Sequence, residues 1–436
     1  MHPVKSLCAA LCVVASSAQA GEIQDLYEQT ILSDPRLKVS ASEVQIGEAR
    51  YDQATAKLLP QVQFSSSWTD NQRKEVQSSA ADHFKGEKYA LVVQQKVFDL
   101  DAWHNRSRYE SLSDESKARR LEQQMMVTTD LLDRYLDALA KQDALGLIVS
   151  EKNATQKQLE QLKKRYERQL AVLTDLLTVE ARLDGILADE ISAQADVEIA
   201  FEALSELVGQ PIDTPLDGLD EARVATGDLG PLEYWVNEAL ANNASLQGLT
   251  YKVRAAESGL RQAKAADMPT VDITLSAQKS DIGFENSQAP RTENYVASLN
   301  FSMPLYLGGS GTARKSENRA LLNIAQQDLE EARRKILKDV RAAYLKTKSG
   351  AARIKAAQKA VESSVKSYEA QQKSLQYGTV TVVDVLDALR EKSRFEKDFR
   401  QAQYDYILNW VTLLNVTGML SPEHISVIDS WHAGQS

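Results

Sequence analysis

Cysteine is almost missing from this chain: of 436 residues only Cys8 and Cys12 are cysteines. Both lie in an N-terminal stretch where Lys5 precedes the apolar run Leu7–Val14 and Ala18-Gln19-Ala20 offers small residues at cleavage spacing. That order reads as a secretory signal peptide over residues 1–20, with Gly21 beginning the mature chain. The mature chain is then expected to carry no thiol and no disulfide although it is exported. Leu7 and Leu11, which precede the two cysteines, are too large for a lipid-attachment site, so no acylated N-terminus is expected.

Three further absences narrow the function. No run of about 18 apolar residues follows the signal, so no transmembrane helix is expected. No sustained basic stripe exists, and the formal charge is −10, or −11 once Lys5 is gone, which argues against nucleic acid. The local cluster Lys163-Lys164-Arg165 reads as a solvated helix face. His83, His104, His424 and His432 are scattered without metal-ligand spacing. Gly308-Gly309-Ser310-Gly311-Thr312 lacks the Gly-Lys-Ser/Thr ending of a phosphate loop and reads as a strand-to-helix junction. No catalytic constellation, metal or cofactor is expected. An exported chain of this kind is either soluble or inserted into a membrane as β-strands.

What is present is written twice. Glu48-Ala49-Arg50 answers to Glu257-Ser258-Gly259, Gln53-Ala54 to Gln262-Ala263, and Leu59-Pro60 to Met268-Pro269. Asp130 and Tyr135 answer to Asp339 and Tyr344, Asp175-Leu176-Leu177 to Asp384-Val385-Leu386, and Gly209 to Gly418. Each pair is 209 positions apart (257 − 48 and 418 − 209), too long for a solenoid unit, so a whole module is duplicated. The expected layout is a first repeat over 21–209, an irregular linker over 210–231 rich in Pro and Gly, a second repeat over 232–420, and a C-terminal tail over 421–436.

Each repeat reads as a helix ending at a proline, two strands, and a long helical hairpin. The first helical region, Glu22–Leu58, is interrupted by Asp34-Pro35, which splits it into two pieces. Strand pairs are expected at about 61–98 and 270–306. Tyr89, Leu91, Val93, Gln95 and Val97 share one face, as do Val271, Ile273, Leu275 and Ala277, and Tyr295, Ala297, Leu299, Phe301 and Met303. Polar residues fill the alternate positions, and Asp70–Glu87 and Lys279–Glu293 read as polar connections. Strands of about ten residues with one apolar and one polar face fit a tilted membrane strand. Hairpins are expected at about 100–208 and 312–418. Asp101–Arg168 holds one glycine and no proline, and Leu131, Leu132, Tyr135, Leu136 and Leu139 form a stripe at three-four spacing. A helix of that length reaches roughly 100 Å, which suggests coiled-coil packing rather than a globular core.

Four spanning strands cannot close a barrel, and an open edge in lipid leaves backbone groups unpaired. Two copies would give eight strands with a filled interior, whereas three give twelve and room for water. The Ser, Thr, Asn and Gln face suits a wet lumen, which favours a trimer.

The order of Asp34-Pro35-Arg36-Leu37, Leu58-Leu59-Pro60, Val97-Phe98-Asp99, Met303-Pro304-Leu305-Tyr306-Leu307-Gly308-Gly309 and Tyr377-Gly378-Thr379 followed by Val383-Asp384-Val385-Leu386-Asp387 resembles the TolC family of outer-membrane efflux and secretion channels. The resemblance spans essentially the whole mature chain. It implies an α+β, mainly helical fold: a homotrimer with an outer-membrane β-barrel of four strands per chain and a long periplasmic α-helical coiled-coil barrel. It implies a passive exit duct of a tripartite efflux or type I secretion system. Its partners would be a periplasmic adaptor (membrane fusion) protein, an inner-membrane transporter of the ABC or RND type, and outer-membrane lipid. The alternative is a soluble periplasmic coiled-coil adaptor or scaffold, which would not need paired amphipathic strands.

The resemblance also assigns sites. Asp384 and Asp387, three residues apart on one helix face, would line the periplasmic entrance. Threefold symmetry would stack them as a cation-attracting ring, whose crowding should raise their pKa values. Thr381-Val382-Val383-Asp384 equally fits a capping box. The first repeat keeps Asp175 but has Thr178 where the second has Asp387. Thr174 and Asp175 match one side of an entrance latch, while Leu375 and Val380 stand where a tyrosine and an arginine would complete it. Gln169 and Leu170, with Gly378 and Thr379, match the hairpin turns that contact the adaptor, and Gln169 departs from the glycine expected there.

Overall fold

A computed structural model describes residues 22–74, 81–220, 223–224, 227–282 and 291–431. The expected signal segment and His432 lie outside the described residues.

The elements follow the duplicated plan. Helices α1 (Glu22–Ser33) and α2 (Pro35–Ala56) precede strands β1 (Gln61–Lys74) and β2 (Ala81–Phe98), then α3 (Leu100–Glu167) and α4 (Leu173–Val208). The second set is α5 (Leu232–Asn242), α6 (Ala244–Ala265), β3 (Thr270–Ile282), β4 (Thr292–Ser302), α7 (Ser310–Gln376) and α8 (Val382–Thr417), followed by α9 (Pro422–Asp429). The helices α4 and α8 are both 36 residues long and start 209 positions apart, 382 against 173. Each ends at a glycine in the left-handed region, Gly209 or Gly418, which closes the last turn without a Cβ clash. Pro35 splits α1 from α2 because it takes the first helical position, where no amide hydrogen bond is lost.

The sheet is antiparallel in the order β1-β2-β3-β4. Its strands are 14, 18, 13 and 11 residues long, so all four exceed the expected ten, β1 and β2 by the most. The reason is that β1 and β2 keep pairing through the polar stretch read as a connection, with Asp70 opposite Lys85 and Trp68 opposite Glu87. Backbone pairing does not require the apolar alternation that marks a strand in sequence. A register shift between Lys96 and Phe98 in the β2–β3 ladder marks an irregularity at the end of β2.

The chain forms two compact units. One holds residues 35–125 and 236–339, including the sheet, α2 and α6. Among the described residues the other holds 22–34, those within 126–235, and 340–431, including α1, α4, α8 and α9. In the latter, the stripe Leu131, Leu132, Tyr135, Leu136 and Leu139 is buried with Ile23, Leu204, Ile407 and Ile425. The Tyr135 hydroxyl donates to Glu22 Oε2 at 2.8 Å, and burial pushes its pKa far above the ordinary tyrosine value. Its repeat partner Tyr344 donates to the Gly230 carbonyl at 2.9 Å. Both tyrosines thus anchor their long helix to a neighbouring segment, and each buried hydroxyl has its partner.

Candidate functional site

The sheet has two chemically distinct faces. Register places Phe64 opposite Leu91, Leu91 opposite Ala277, and Ala277 opposite Tyr295, so these residues share one face. Val62, Trp68, Tyr89, Leu275, Leu299 and Phe301 fall on the same face by strand alternation. This face is uncovered within the chain: Phe64, Tyr295, Leu299 and Phe301 are between 67% and 80% exposed. Trp68 and Tyr89 meet edge to face with ring centroids 6.0 Å apart, and the indole N–H donates to the Tyr89 hydroxyl at 3.2 Å. Next to them Lys279 pairs with Glu293 at 3.0 Å. An apolar band ending in a Trp/Tyr level and then in charge is the profile of a surface passing from hydrocarbon to headgroups.

The opposite face is polar. Asp272 accepts from Asn300 at 2.9 Å, from Thr274 at 3.1 Å and from Gln94 at 3.4 Å, which links three strands. Ser276, Gln278, Asn294 and Ser298 extend it by alternation. β1 and β4 are the sheet edges and have no second strand partner among the described residues. No helix among the described residues is long and apolar enough to cross a membrane.

The helical hairpin ends hold the other predicted residues. Both turns close in the same way. Gln169 N–H donates to the Tyr166 carbonyl and Leu170 N–H to the Arg165 carbonyl, both at 2.8 Å. In the second hairpin Gly378 N–H donates to Leu375 at 3.1 Å and Thr379 N–H to Ser374 at 3.0 Å. This paired bonding requires a left-handed residue after the helix. Gly378 supplies it at φ 73° and Gln169 at φ 59°, the only non-glycine with positive φ among the described residues. Gln169 therefore takes the glycine conformation despite its Cβ. Leu170 and Tyr377 are largely exposed at these turns, 70% and 83% respectively.

Past the turns the hairpins differ. Thr381 caps α8: Asp384 N–H donates to its Oγ1 at 3.2 Å, and its own N–H and hydroxyl donate to Asp384 Oδ2 at 2.8 and 2.7 Å. These bonds from Thr381 hold the Asp384 carboxyl below the usual carboxylate range. Within one chain the effect on Asp384 is thus opposite to the rise expected from crowding in a ring. In the first hairpin Val172 occupies the cap position and offers no side-chain bond. Thr178, which replaces the second aspartate, turns its hydroxyl onto the Thr174 carbonyl at 2.8 Å.

The two hairpins share an apolar cluster. Leu159, Leu162, Leu176 and Val179 of the first pack with Val382, Leu386 and Leu389 of the second, and Leu375 packs against this cluster. Leu375 thereby adds apolar burial between the hairpins. Asp387 accepts from Arg182 of α4 at 2.9 Å. Sequence reasoning missed Arg182, although one signal was available: it is the only basic residue in α4. Glu151 of α3 lies in the field of Arg182 and Arg390, yet burial keeps its carboxyl above the ordinary range. Asp384, Asp387 and Glu391 line an open groove of α8 facing Ser364, Ser367 and Gln371 of α7. No group of acidic, histidine or cysteine side chains fit to hold a metal occurs among the described residues.

The comparisons with known proteins agree with this geometry. The chain is 29% identical over 431 residues to the outer membrane protein TolC of Vibrio cholerae, covering 97% of this chain and 96% of that protein. It is 28% identical to the alkaline protease secretion protein AprF of Pseudomonas aeruginosa, covering 96% and 89%. Among solved structures, the outer membrane protein VceC of Vibrio cholerae superposes with a TM-score of 0.78 at 17% identity, covering 91% of this chain and 96% of that one. The outer membrane efflux protein family matches residues 26–210 and 235–419, two segments again offset by 209. The chain belongs to the outer membrane efflux protein family.

Proposed function

We propose that this protein is the outer-membrane exit duct of a tripartite efflux or type I secretion system, acting as a homotrimer after removal of residues 1–20. The observation that carries this reading is the sheet: one apolar face uncovered, one polar face, and two edges without a partner strand among the described residues. An open edge is not tolerated in hydrocarbon. Pairing β4 of one copy with β1 of the next in a ring of three closes twelve strands. The apolar faces then meet lipid and the Asp272-bearing faces line water. No chemical step is part of this function: cargo passes through, and an inner-membrane transporter of the ABC or RND type supplies the energy.

In this reading the turns at Gln169-Leu170 and Gly378-Thr379 meet a periplasmic adaptor, and the hairpin ends form the entrance. Thr174 and Asp175 lie at the first hairpin's end and form one side of the entrance latch between the two hairpins. Asp384 and Asp387, multiplied by three, form the cation-attracting constriction. Relatives named for TolC and for protease secretion leave both efflux and protein export as cargo classes.

Purified protein in a planar bilayer tests the reading: discrete conductance is expected, and a folded trimer that never conducts would sink it. Asp384→Ala with Asp387→Ala is expected to weaken block by multivalent cations. The alternative, a soluble scaffold, predicts protein in the periplasmic fraction, whereas the duct must sediment with outer membrane.

A further inference from the structure

The uncovered face of the sheet changes abruptly at one height. Register sets Phe64, Leu91, Ala277 and Tyr295 side by side as its last apolar level. The next level holds Ser66, Tyr89, Lys279 and Glu293, and beyond it Arg291 Nε donates to Asp281 at 2.8 Å. Ala277 is the one small side chain of the apolar level. Here lies a shallow groove of about 170 Å³, lined by Phe64, Leu91, Ala277 and Tyr295 and, one level on, by Tyr89, Lys279 and Glu293. Its rim carries unused donors. An ammonium has three, and among the described residues Lys279 pairs with Glu293 alone, at 3.0 Å. A guanidinium has five, and Arg291 gives Nε to Asp281. The two carboxylates hold these cations in place without saturating them.

We propose that this groove is a binding site for an acylated, phosphorylated glycolipid of the outer leaflet, one per chain: an acyl chain lies over Ala277 and a phosphate accepts from Lys279 and Arg291. The proposal rests on the duct reading for the membrane around the sheet. The helices fix the leaflet. α2 leads into β1 at Gln61 and α6 into β3 at Thr270, so Lys279 and Arg291 lie at the far ends of their strands, away from the periplasm. Closing a ring of three pairs the edges of β1 and β4 and leaves this face to lipid. Charge is complementary as well: each rim cation already has one carboxylate, and a phosphate can share its spare donors in a charge-assisted bond. Beside the rim, Trp68 and Tyr89 meet edge to face, and amphipathic rings of this kind sit at headgroup depth, where the sugar of such a lipid lies.

Native mass spectrometry of the detergent-solubilised full-length protein, titrated with diphosphorylated lipid A, tests the site. Saturation at one lipid per chain is expected. Ala277→Leu fills the groove and Lys279→Gln removes a donor, and each should weaken binding roughly tenfold, the scale of one charge-assisted hydrogen bond. Ala297→Leu adds the same bulk to the same face outside the groove and should change nothing. Dephosphorylated lipid A should bind about as weakly to the unaltered protein as lipid A binds to Lys279→Gln, and excess inorganic phosphate should not displace the lipid. Lys279 is exposed, so Lys279→Gln keeps the prediction testable if Ala277→Leu fails to assemble. Equal binding to all variants, or binding that never saturates, overturns the site and leaves only unspecific lipid. Equal binding of dephosphorylated lipid A overturns the phosphate contact, and equal binding of phosphatidylglycerol overturns the glycolipid. Displacement by inorganic phosphate would make the rim a free-phosphate site and overturn the lipid. These outcomes leave the duct reading standing, since that reading fails instead if the protein fractionates with the soluble periplasm.

Discussion

The two hairpin ends are copies that have kept their geometry and exchanged their chemistry. Both turns use the same pair of backbone bonds, and both returning helices run 36 residues to a left-handed glycine. Yet the second end has Gly378, a Thr381 cap and two aspartates, while the first has Gln169, an uncapped Val172 and Thr178. Backbone closure depends on dihedral angles that several residues reach at modest cost. Charge and capping depend on single atoms and drift unless something uses them. The first end therefore carries a strained turn and a bare helix start, and the second carries neither.

The sharpest way to break the contrast is to remove what the ends share. Leu386→Ala opens a cavity in the cluster that both hairpins build, and should cost about 2–5 kcal/mol. Hydrogen exchange should then quicken at both ends; quickening in α8 alone would mean that the hairpins are held independently. Thr381→Val acts on one end only. It should cost about 1 kcal/mol at the start of α8 and leave α4 unchanged, while Val172→Thr should gain a comparable or smaller amount at α4. Acid should erase the same advantage. The folded pKa of Asp384 is depressed, so its contribution is present above the unfolded value of about 3.9 and is lost as pH falls through the folded value. Protection from exchange at Val382–Leu386 should fall over that interval in the unaltered protein and fall less in Thr381→Val, which keeps only the backbone N–H bond to Asp384. The smallest effect is expected from Gln169→Gly, which relieves a left-handed non-glycine and should stabilise the first turn by up to about 1 kcal/mol. Gly378→Gln should cost the second turn as much, and thermal melts of the two variants compare them.

Much of this contrast was legible in the sequence. The 209-residue offset, the helix break at Pro35, the two hairpins and the Thr381 box can each be read from local spacing, because caps, breakers and 3.6-residue stripes act within a few positions. The extension of β1 to Lys74 and of β2 back to Ala81 was not, since backbone pairing leaves no side-chain pattern in a stretch without a buried face. Arg182 was also missed. Periodicity says which face of α4 is apolar but not which helix lies across from it, so a lone arginine among carboxylates could not be matched to Asp387. Leu375 reads in sequence as a missing polar side chain; only the packing shows it against the apolar cluster that both hairpins share.

The order of the sheet sets a schedule for the nascent chain. β1 and β2 meet as neighbours, but β2 pairs with β3 from Phe98–Val271 to Gly86–Ile282, so even the nearer pair is 173 residues apart (271 − 98). A chain that has emerged only through the first repeat owns a two-stranded hairpin, which is marginal alone, and its β2 edge waits with an apolar face beside it. Such distant pairing makes assembly of the sheet slow relative to its helices. The duplicated chain is thus exposed to aggregation for as long as its second half is missing, and it depends on being shielded between export and insertion.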